Sequence, residues 1–439
     1  MVSQMTSKDS IVALSSGRLP AGIAVIRISG PKTRFVVETI AGAVRDRLAA
    51  LRRFKAADGS LIDHGLVFFF PGPGSFTGED VAEFHVHGSR AVAAKMLETI
   101  TDIEGVRHAE PGEFTRRAFL NAKLDLVETE ALADLVNAET EAQRRFALRN
   151  ADGAQSELYS SWRRRLIHAR AMIEAEIDFA DEEDVPGSVS EAVWSDVAMM
   201  IDEIERHIQG FKAAEIIRDG FEVVILGAPN AGKSSLFNAL ARREAAIVTD
   251  EPGTTRDLLE VVLELNGMMA RIVDTAGLRE TAGKVEMIGI ERARAKAGEA
   301  DLVLLLEDMV DPQSVGEVPA HVPLLKIGTK ADLEGARKGT YDMVISSKDG
   351  FGLSELLDEI GRRAAAAVGN VGDVLPSRLR HVELLKEAKG FLVAALSGQS
   401  QELRAEELRL AAERLGRIIG AVDVEDLLDV IFSQFCIGK

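Results

Sequence analysis

At 439 residues the chain exceeds what one hydrophobic core holds, so about two to four domains are expected. Its 46% hydrophobic and 28% charged content is that of a soluble globular protein, and its single cysteine excludes an internal disulfide framework and a cysteine-rich zinc site. A formal net charge of −18 argues against a generally basic nucleic-acid coat, although phosphate contacts are local and a basic patch remains allowed. No apolar run approaches the roughly 18 residues of a membrane span, and "MVSQMTSKDS" lacks the apolar core of a signal peptide. A cytoplasmic protein without a membrane partner is expected.

The first 120 or so residues mix short strands with glycine-bearing turns. "GIAVIRIS" alternates as a strand that carries Arg27 among apolar neighbours. "SFTGEDVAEFHVHG" puts Glu83, His85 and His87 on one strand face, because side chains alternate; two histidines and a glutamate suggest a metal, but no third strong ligand stands beside them. From about Leu124 to Glu215 the pattern is helical. "TEALADLVNAETEAQRRFALRNADG" predicts one amphipathic helix with a glycine stop, and "SELYSSWRRRLIHARAMIEAEIDFADEED" and "EAVWSDVAMMIDEIERHIQGFKAAE" predict two more. Arg144, Arg145, Arg149 and Arg163–Arg165 are the densest basic positions here; they meet either the phosphates of a partner or the abundant glutamates.

"EVVILGAPNAGKSSLFNAL" fixes the chemistry. A buried strand, Val223–Leu226, runs into Gly227-x4-Gly232-Lys233-Ser234 and then a helix, the strand–loop–helix context that a phosphate loop requires. The glycines let N–H groups of Asn230, Ala231, Gly232, Lys233, Ser234 and Ser235 close around phosphate oxygens, Lys233 offers a point charge to the β and γ phosphates, and the Ser234 hydroxyl can ligate Mg²⁺. "DEPGTTRD" follows, with Asp250, Pro252 and Gly253 in a switch-like loop and Thr255 as a second Mg²⁺ ligand. "VDTAG" ends a strand with Asp274 facing the metal's outer shell, Thr275 and Ala276, and Gly277, whose N–H can sense a γ-phosphate. "TKAD" supplies Thr329, Lys330, Ala331 and Asp332; a carboxylate there accepts two hydrogen bonds from guanine and selects GTP over ATP. Guanine-binding domains usually carry Asn where this chain has Thr329, a change that removes a polar contact to the purine. Ser346, Ser347 and Lys348 form the loop behind the base. Leu278 stands where Ras-like enzymes place a water-orienting Gln, so another group must orient water. Asn230 either faces a monovalent cation or stabilises its own turn.

"RLRHVELLKEAKGFLVAAL" and "AEELRLAAERLGRIIG" return to helix, which predicts a helical domain into which the GTPase is inserted, with hinges at "EIIRDGFE" and "GNVGDVLPS". "DVEDLLDVIFSQFCIGK" keeps helical apolar spacing to Phe435, tying the lone Cys436 to a packed surface.

"GAPNAGKSSLFNAL", "DEPGTTRD", "DTAGLRE…VEMIGIERA", the N-terminal strands and the terminal "CIGK" together resemble the MnmE (TrmE) family, the GTPases of tRNA wobble-uridine modification. The resemblance implies a multidomain α/β plus all-α chain: a folate-binding-like, dimerising domain over 1–122, a helical domain over 123–215 and 371–439, and an inserted Ras-like, doubly wound GTPase over 216–370. It implies K⁺ held by Asn230, Thr249, Glu251 and Thr254, Glu286 orienting the attacking water, and hydrolysis on face-to-face pairing of two G domains in a homodimer. It implies a tetrahydrofolate one-carbon donor (5-formyl or 5,10-methylene) held by Arg27, Glu83, Lys123 and Lys439, with Cys436 beside it. It further implies a flavoprotein partner of the MnmG type, which brings FAD and completes a heterotetramer, and tRNA as substrate. In this chain "LPAG" follows Gly17-Arg18 where the family usually continues with glycines, which predicts a stiffer loop. The other reading is a ribosome-assembly GTPase of the Era or Der kind, a binding switch that would need neither the N-terminal strands nor "CIGK".

Overall fold

The computed structural model describes residues 8–178, 189–243, 259–274, 295–313, 320–333, 335–336, 339–369, 374–398 and 400–422, together with 428, 431, 432, 435 and 438. Two compact units divide the chain: Met1–Ala133, Asn150–Val185 and Gly398–Lys439 in the first, and Asp134–Arg149 and Pro186–Ser397 in the second.

The alternating pattern of the N-terminal residues builds β1 (Ser10–Leu14), β2 (Ile23–Ser29), α1 (Thr33–Ala41), β3 (Ala50–Lys55), β4 (Leu61–Phe70), β5 (Val81–His87), α2 (Arg90–Thr101), β6 (Val106–His108) and α3 (Glu113–Leu120). Its sheet has the order β3-β4-β5-β2-β1-β6, antiparallel apart from the β1–β6 pair. One face buries Ala24, Ile26, Ile28, Phe84 and Val86 with Val36, Ile40, Met96 and Ile100 of α1 and α2. Period-2 alternation therefore sends Arg27 and Glu83, which are register partners, to the opposite face. The "LPAG" loop is fastened to the sheet's end: the Ala21 N–H donates to the Gly88 carbonyl at 2.9 Å.

The next helices are α4 (Leu126–Val136), α5 (Glu141–Ala151), α6 (Ala154–Asp178), α7 (Val189–Gln209) and α8 (Phe211–Asp219). The single helix expected through 126–151 is broken. Thr140 and Gln143 form a capping pair that starts α5 afresh: Gln143 Oε1 accepts from the Thr140 N–H at 3.1 Å, and Thr140 Oγ1 from the Gln143 N–H at 3.4 Å. The first expected hinge is also corrected. Within "EIIRDGFE", Ile216 and Ile217 sit on α8 and are 2% and 1% exposed in the core of the second unit, so burial of this amphipathic turn outweighs its hinge-like polarity.

In the second unit follow β7 (Phe221–Gly227), α9 (Lys233–Ala241), β8 (Leu259–Leu265), β9 (Met268–Asp274), β10 (Leu302–Asp308), β11 (Leu324–Thr329), β12 (Met343–Val344), α10 (Leu353–Val368) and α11 (Leu379–Ser397). The sheet order is β12-β11-β10-β7-β9-β8, parallel except for β8, with β7 inside it. That position explains the unbroken apolar run Val223–Leu226, since a strand covered on both faces has no polar side. α12 (Gln401–Ile418), on the far side of the GTPase in sequence, packs on α6 in the first unit, while α7 packs on α11 in the second. The buried stripes repeat at 3-to-4 spacing: Leu408, Ala411, Leu415 and Ile418 on α12, Val193, Val197, Met200 and Ile204 on α7. Helices thus precede and follow the nucleotide-type sheet in the chain.

The α7–α11 layer carries a titratable pair. His207 is 8% exposed, and burial, aided by the neighbouring His381 and only partly offset by a hydrogen bond with the Val374 backbone, pushes its pKa down to about 4. A histidine with a depressed folded pKa stabilises fully above its unfolded value near 6.5, and that stability is lost as pH falls from there towards 4. The expected loss is about 3 kcal/mol over that window. Melting curves at pH 7.5 and 5.0 should show a drop that His207→Leu makes shallower; parallel drops in both proteins would assign the acid sensitivity elsewhere.

Candidate functional site

The carboxyl ends of β7, β9, β10 and β11 converge, the usual location for ligands of an open parallel sheet. Between β7 and α9 the backbone turns through Asn230 at φ 63° and Gly232 at φ 92°, the left-handed region that Asn tolerates and Gly prefers. Gly227 is also fixed by space, because a Cβ would lie 2.8 Å from the Leu306 carbonyl oxygen. The result is a tight loop delivering Lys233 and Ser234 to the first turn of a helix, where free N–H groups face an anion. Lys233 is 7% exposed, and its Nζ donates to the Gly227 and Ala228 carbonyls at 2.8 Å each, so the ammonium is folded over the loop mouth. Ser234, Ser235 and Asn230 are exposed beside it, and Asn230 has no hydrogen-bond partner among the described residues. Asp274 ends β9, 1% exposed and in register with Ile225 of β7, next to this loop.

The residues expected to read the base also gather. Thr329 ends β11, and its Oγ1 lies 2.9 Å from the Ala231 carbonyl oxygen, bolting the phosphate loop to the sheet. Lys330, at φ 61°, donates to Asp308 at 2.5 Å. Burial alone would raise the Asp308 pKa, but this bond and two backbone N–H groups hold it below the usual carboxylate range. Asp332 is oriented by Ser346, whose buried hydroxyl donates to Oδ1 at 2.9 Å, with Lys348 Nζ 3.8 Å from Oδ2. Ala331 is hooked to the Ile345 carbonyl through its N–H at 3.2 Å. Ser347 follows in the same turn.

In the first unit, Arg27 and Glu83 meet at 2.8 Å through Nη2 and Oε1, with Nε donating to the same oxygen at 3.0 Å. They line a cleft of about 350 Å³ with Phe70, Ser75, Phe76 and Leu132, within the size range of small-molecule sites. Lys123 does not line this cleft. It donates to the Pro73 carbonyl at 3.1 Å and so braces the loop that forms one wall. His85 and His87 do not converge on a metal: His85 sits 3.2 Å from Glu83, and His87 Nδ1 is 2.8 Å from Asp63. The C-terminal tail reaches this place. Leu428, Phe432 and Phe435 are buried against Leu126, and the Gly438 carbonyl accepts from Ser15 Oγ at 2.9 Å and lies 3.5 Å from Arg27 Nη1.

Thr249, Asp250, Glu251, Pro252, Gly253, Thr254, Thr255, Thr275, Ala276, Gly277, Leu278, Glu286, Cys436 and Lys439 lie outside the described residues. Of the basic helix positions, Arg144 and Arg145 both pair with Glu141, which those bonds hold at a pKa of about 2, and Arg164 pairs with Glu157; Arg149 is exposed.

Residues 126–436 match the MnmE helical domain model, and residues 10–123 match that of the GTP-binding protein TrmE N-terminus. The chain belongs to the MnmE family of tRNA modification GTPases. Its similarity to curated MnmE proteins is end to end: 75% identity to the tRNA modification GTPase MnmE of Mesorhizobium japonicum, over 99% of this chain and 100% of the relative. The MnmE of Brucella anthropi is 58% identical over 98% of each chain, and that of a Chelativorans species 56% over 100% of each. The G domain of the T. maritima FeoB iron transporter aligns at 29% identity over 33% of this chain and 98% of its own, with a TM-score of 0.25; the fold rests on the strand order instead. MnmE membership makes the chain a GTP hydrolase of tRNA modification with a P-loop GTPase inserted in a helical domain, and sets aside the Era or Der reading. No described helix is long and apolar enough to cross a membrane.

Several contacts of this MnmE-family chain escaped sequence reasoning. The lining by Phe70, Phe76 and Leu132 comes from separated segments, and only the glycine-flanked "PGPGSFTG" hinted that a loop stood there. The Ser15–Gly438 bond joins residues 423 apart in sequence and left no local signal.

Proposed function

We propose that the chain is a K⁺- and Mg²⁺-dependent GTPase that, as a homodimer and with a flavoprotein of the MnmG type carrying FAD, adds an aminomethyl or carboxymethylaminomethyl group to C5 of the wobble uridine of tRNA, in the cytoplasm, from a tetrahydrofolate donor. Its working parts would be 1–122, 123–215 with 371–439, and 216–370.

The described members of each residue set support this reading. Lys233 binds the β and γ phosphates, Ser234 with Thr255 holds Mg²⁺, and Asp332 reads guanine. Asn230, which is exposed in a left-handed turn, joins Thr249, Glu251 and Thr254 around K⁺. An alkali ion held by these residues would supply positive charge to the transition state, and Glu286 would orient water where Leu278 cannot. In the cleft, the Arg27–Glu83 pair beside Phe76 suits the polar edge and flat ring of a pterin; Lys123 serves the site by bracing its wall at Pro73, and Lys439 would meet the donor's acidic tail. The observation that carries the modification reading is the seating of Gly438, two positions along the sequence from Cys436, at Arg27.

The cation reading is tested by GTP turnover in KCl and NaCl at equal ionic strength. K⁺ should raise the rate at least about tenfold, the scale of losing a transition-state charge contact, and Asn230→Ala should remove the difference. Equal rates in the two salts would dismiss Asn230 as a cation ligand.

A further inference from the structure

The Thr329 hydroxyl has one hydrogen and two carbonyl neighbours. Ala231 O lies 2.9 Å from Oγ1 and Glu307 O lies 3.2 Å from it, in a position 3% exposed. Both neighbours are acceptors, so the single hydrogen is committed to them. The side chain also packs beneath the phosphate loop: a Cβ added at Gly232 would meet Oγ1 at 3.5 Å and Cγ2 at 3.7 Å. An amide at this position has two donor hydrogens, one for the loop and one for a purine acceptor. A hydroxyl cannot serve both.

We propose that Thr329 gives up contact with the purine N7 in order to fasten the phosphate loop, so that this chain recognises guanine through Asp332 on the Watson–Crick edge and is blind to N7. The proposal rests on the reading of Asp332 as the guanine acceptor. Its geometry is consistent with that load. Ser346 fixes Oδ1 at 2.9 Å, and the 3.8 Å gap to Lys348 leaves Oδ2 lightly held. Lys330 is turned away to Asp308 and offers N7 no substitute donor. Thr329 is accordingly a specificity-determining residue: it removes discrimination at one purine edge while leaving the other intact.

The test compares GDP with 7-deaza-GDP, in which a C–H replaces N7, by calorimetry on the full chain in KCl and MgCl₂. The two ligands should bind within twofold of one another. Thr329→Asn should tighten GDP about fivefold, the scale of one net hydrogen bond, and leave 7-deaza-GDP unchanged. A loss of fivefold or more with 7-deaza-GDP on the unaltered chain would overturn the proposal, as would equal tightening of both ligands by Thr329→Asn. If that variant does not fold, the comparison on the unaltered chain decides by itself. Asp332→Asn should move preference from GDP towards xanthosine diphosphate. Failure of that exchange would sink the Asp332 reading, a result distinguishable from any seen with the 7-deaza ligand.

Discussion

Lys233→Ala should hydrolyse GTP about 10³-fold more slowly than the unaltered chain and bind it more weakly as well. The structure explains why so much rests on one side chain. The ammonium is nearly buried and held by two neutral carbonyls of its own loop, Gly227 and Ala228, at 2.8 Å each. A point charge fixed at the loop mouth favours the anion, and favours most the state with greatest negative charge on the transferring group. Lys233→Arg should not rescue the rate, since a planar fork cannot replace a point charge in a tight loop. Single-turnover hydrolysis and nucleotide affinity, measured together with an unchanged melting temperature, check this. A loss below tenfold would mean that another cation carries the phosphate.

Gly438→Ala should leave GTP turnover within about twofold and lower wobble-uridine modification tenfold or more, the span expected from about 1–3 kcal/mol of backbone strain. Gly438 has φ 101°, and a Cβ there would lie 2.4 Å from the Leu14 carbonyl and 3.0 Å from Ser15 Cα. Both obstacles are backbone, so no rotamer change relieves them. Gly438 would leave its seat beside β1, and the Ser15–Gly438 bond would break. The phosphate loop belongs to the other compact unit and shares no residue with the tail. A reconstituted modification assay run beside GTP turnover separates the two effects; intact modification by the variant would return Cys436 to an inert packing role.

How much of this was legible beforehand follows the distance in sequence over which each feature is written. The phosphate loop is contiguous, and strand, turn and helix signals agree within "VVILGAPNAGKSSL", so its placement between β7 and α9 was fully readable. The inserted architecture was readable because amphipathic stripes stand on both sides of it, although which helices pair, α6 with α12 and α7 with α11, was not. Helix breaks at 137–140 and at Gly210 went unread, because the apolar spacing continues across them and only local capping interrupts it. Arg27 and Glu83 could be suspected as separate strand residues, but their 2.8 Å pairing depends on the β2–β5 register. Lys123 acts on the cleft through Pro73 rather than from within it, a distinction that no motif carries. Thr329 looked like a simple loss of a contact; the fold shows what its hydroxyl does instead.

We expect nucleotide hydrolysis in the inserted domain to serve chemistry at the cleft that holds Arg27, Glu83 and Gly438. Mass spectrometry of tRNA wobble uridines, from cells whose only copy is the unaltered chain, Lys233→Ala or Gly438→Ala, tests it most directly. C5-substituted uridine should be present with the first and strongly depleted with each of the other two. Full modification with Lys233→Ala would contradict the account, because the cleft would then be working without the GTPase.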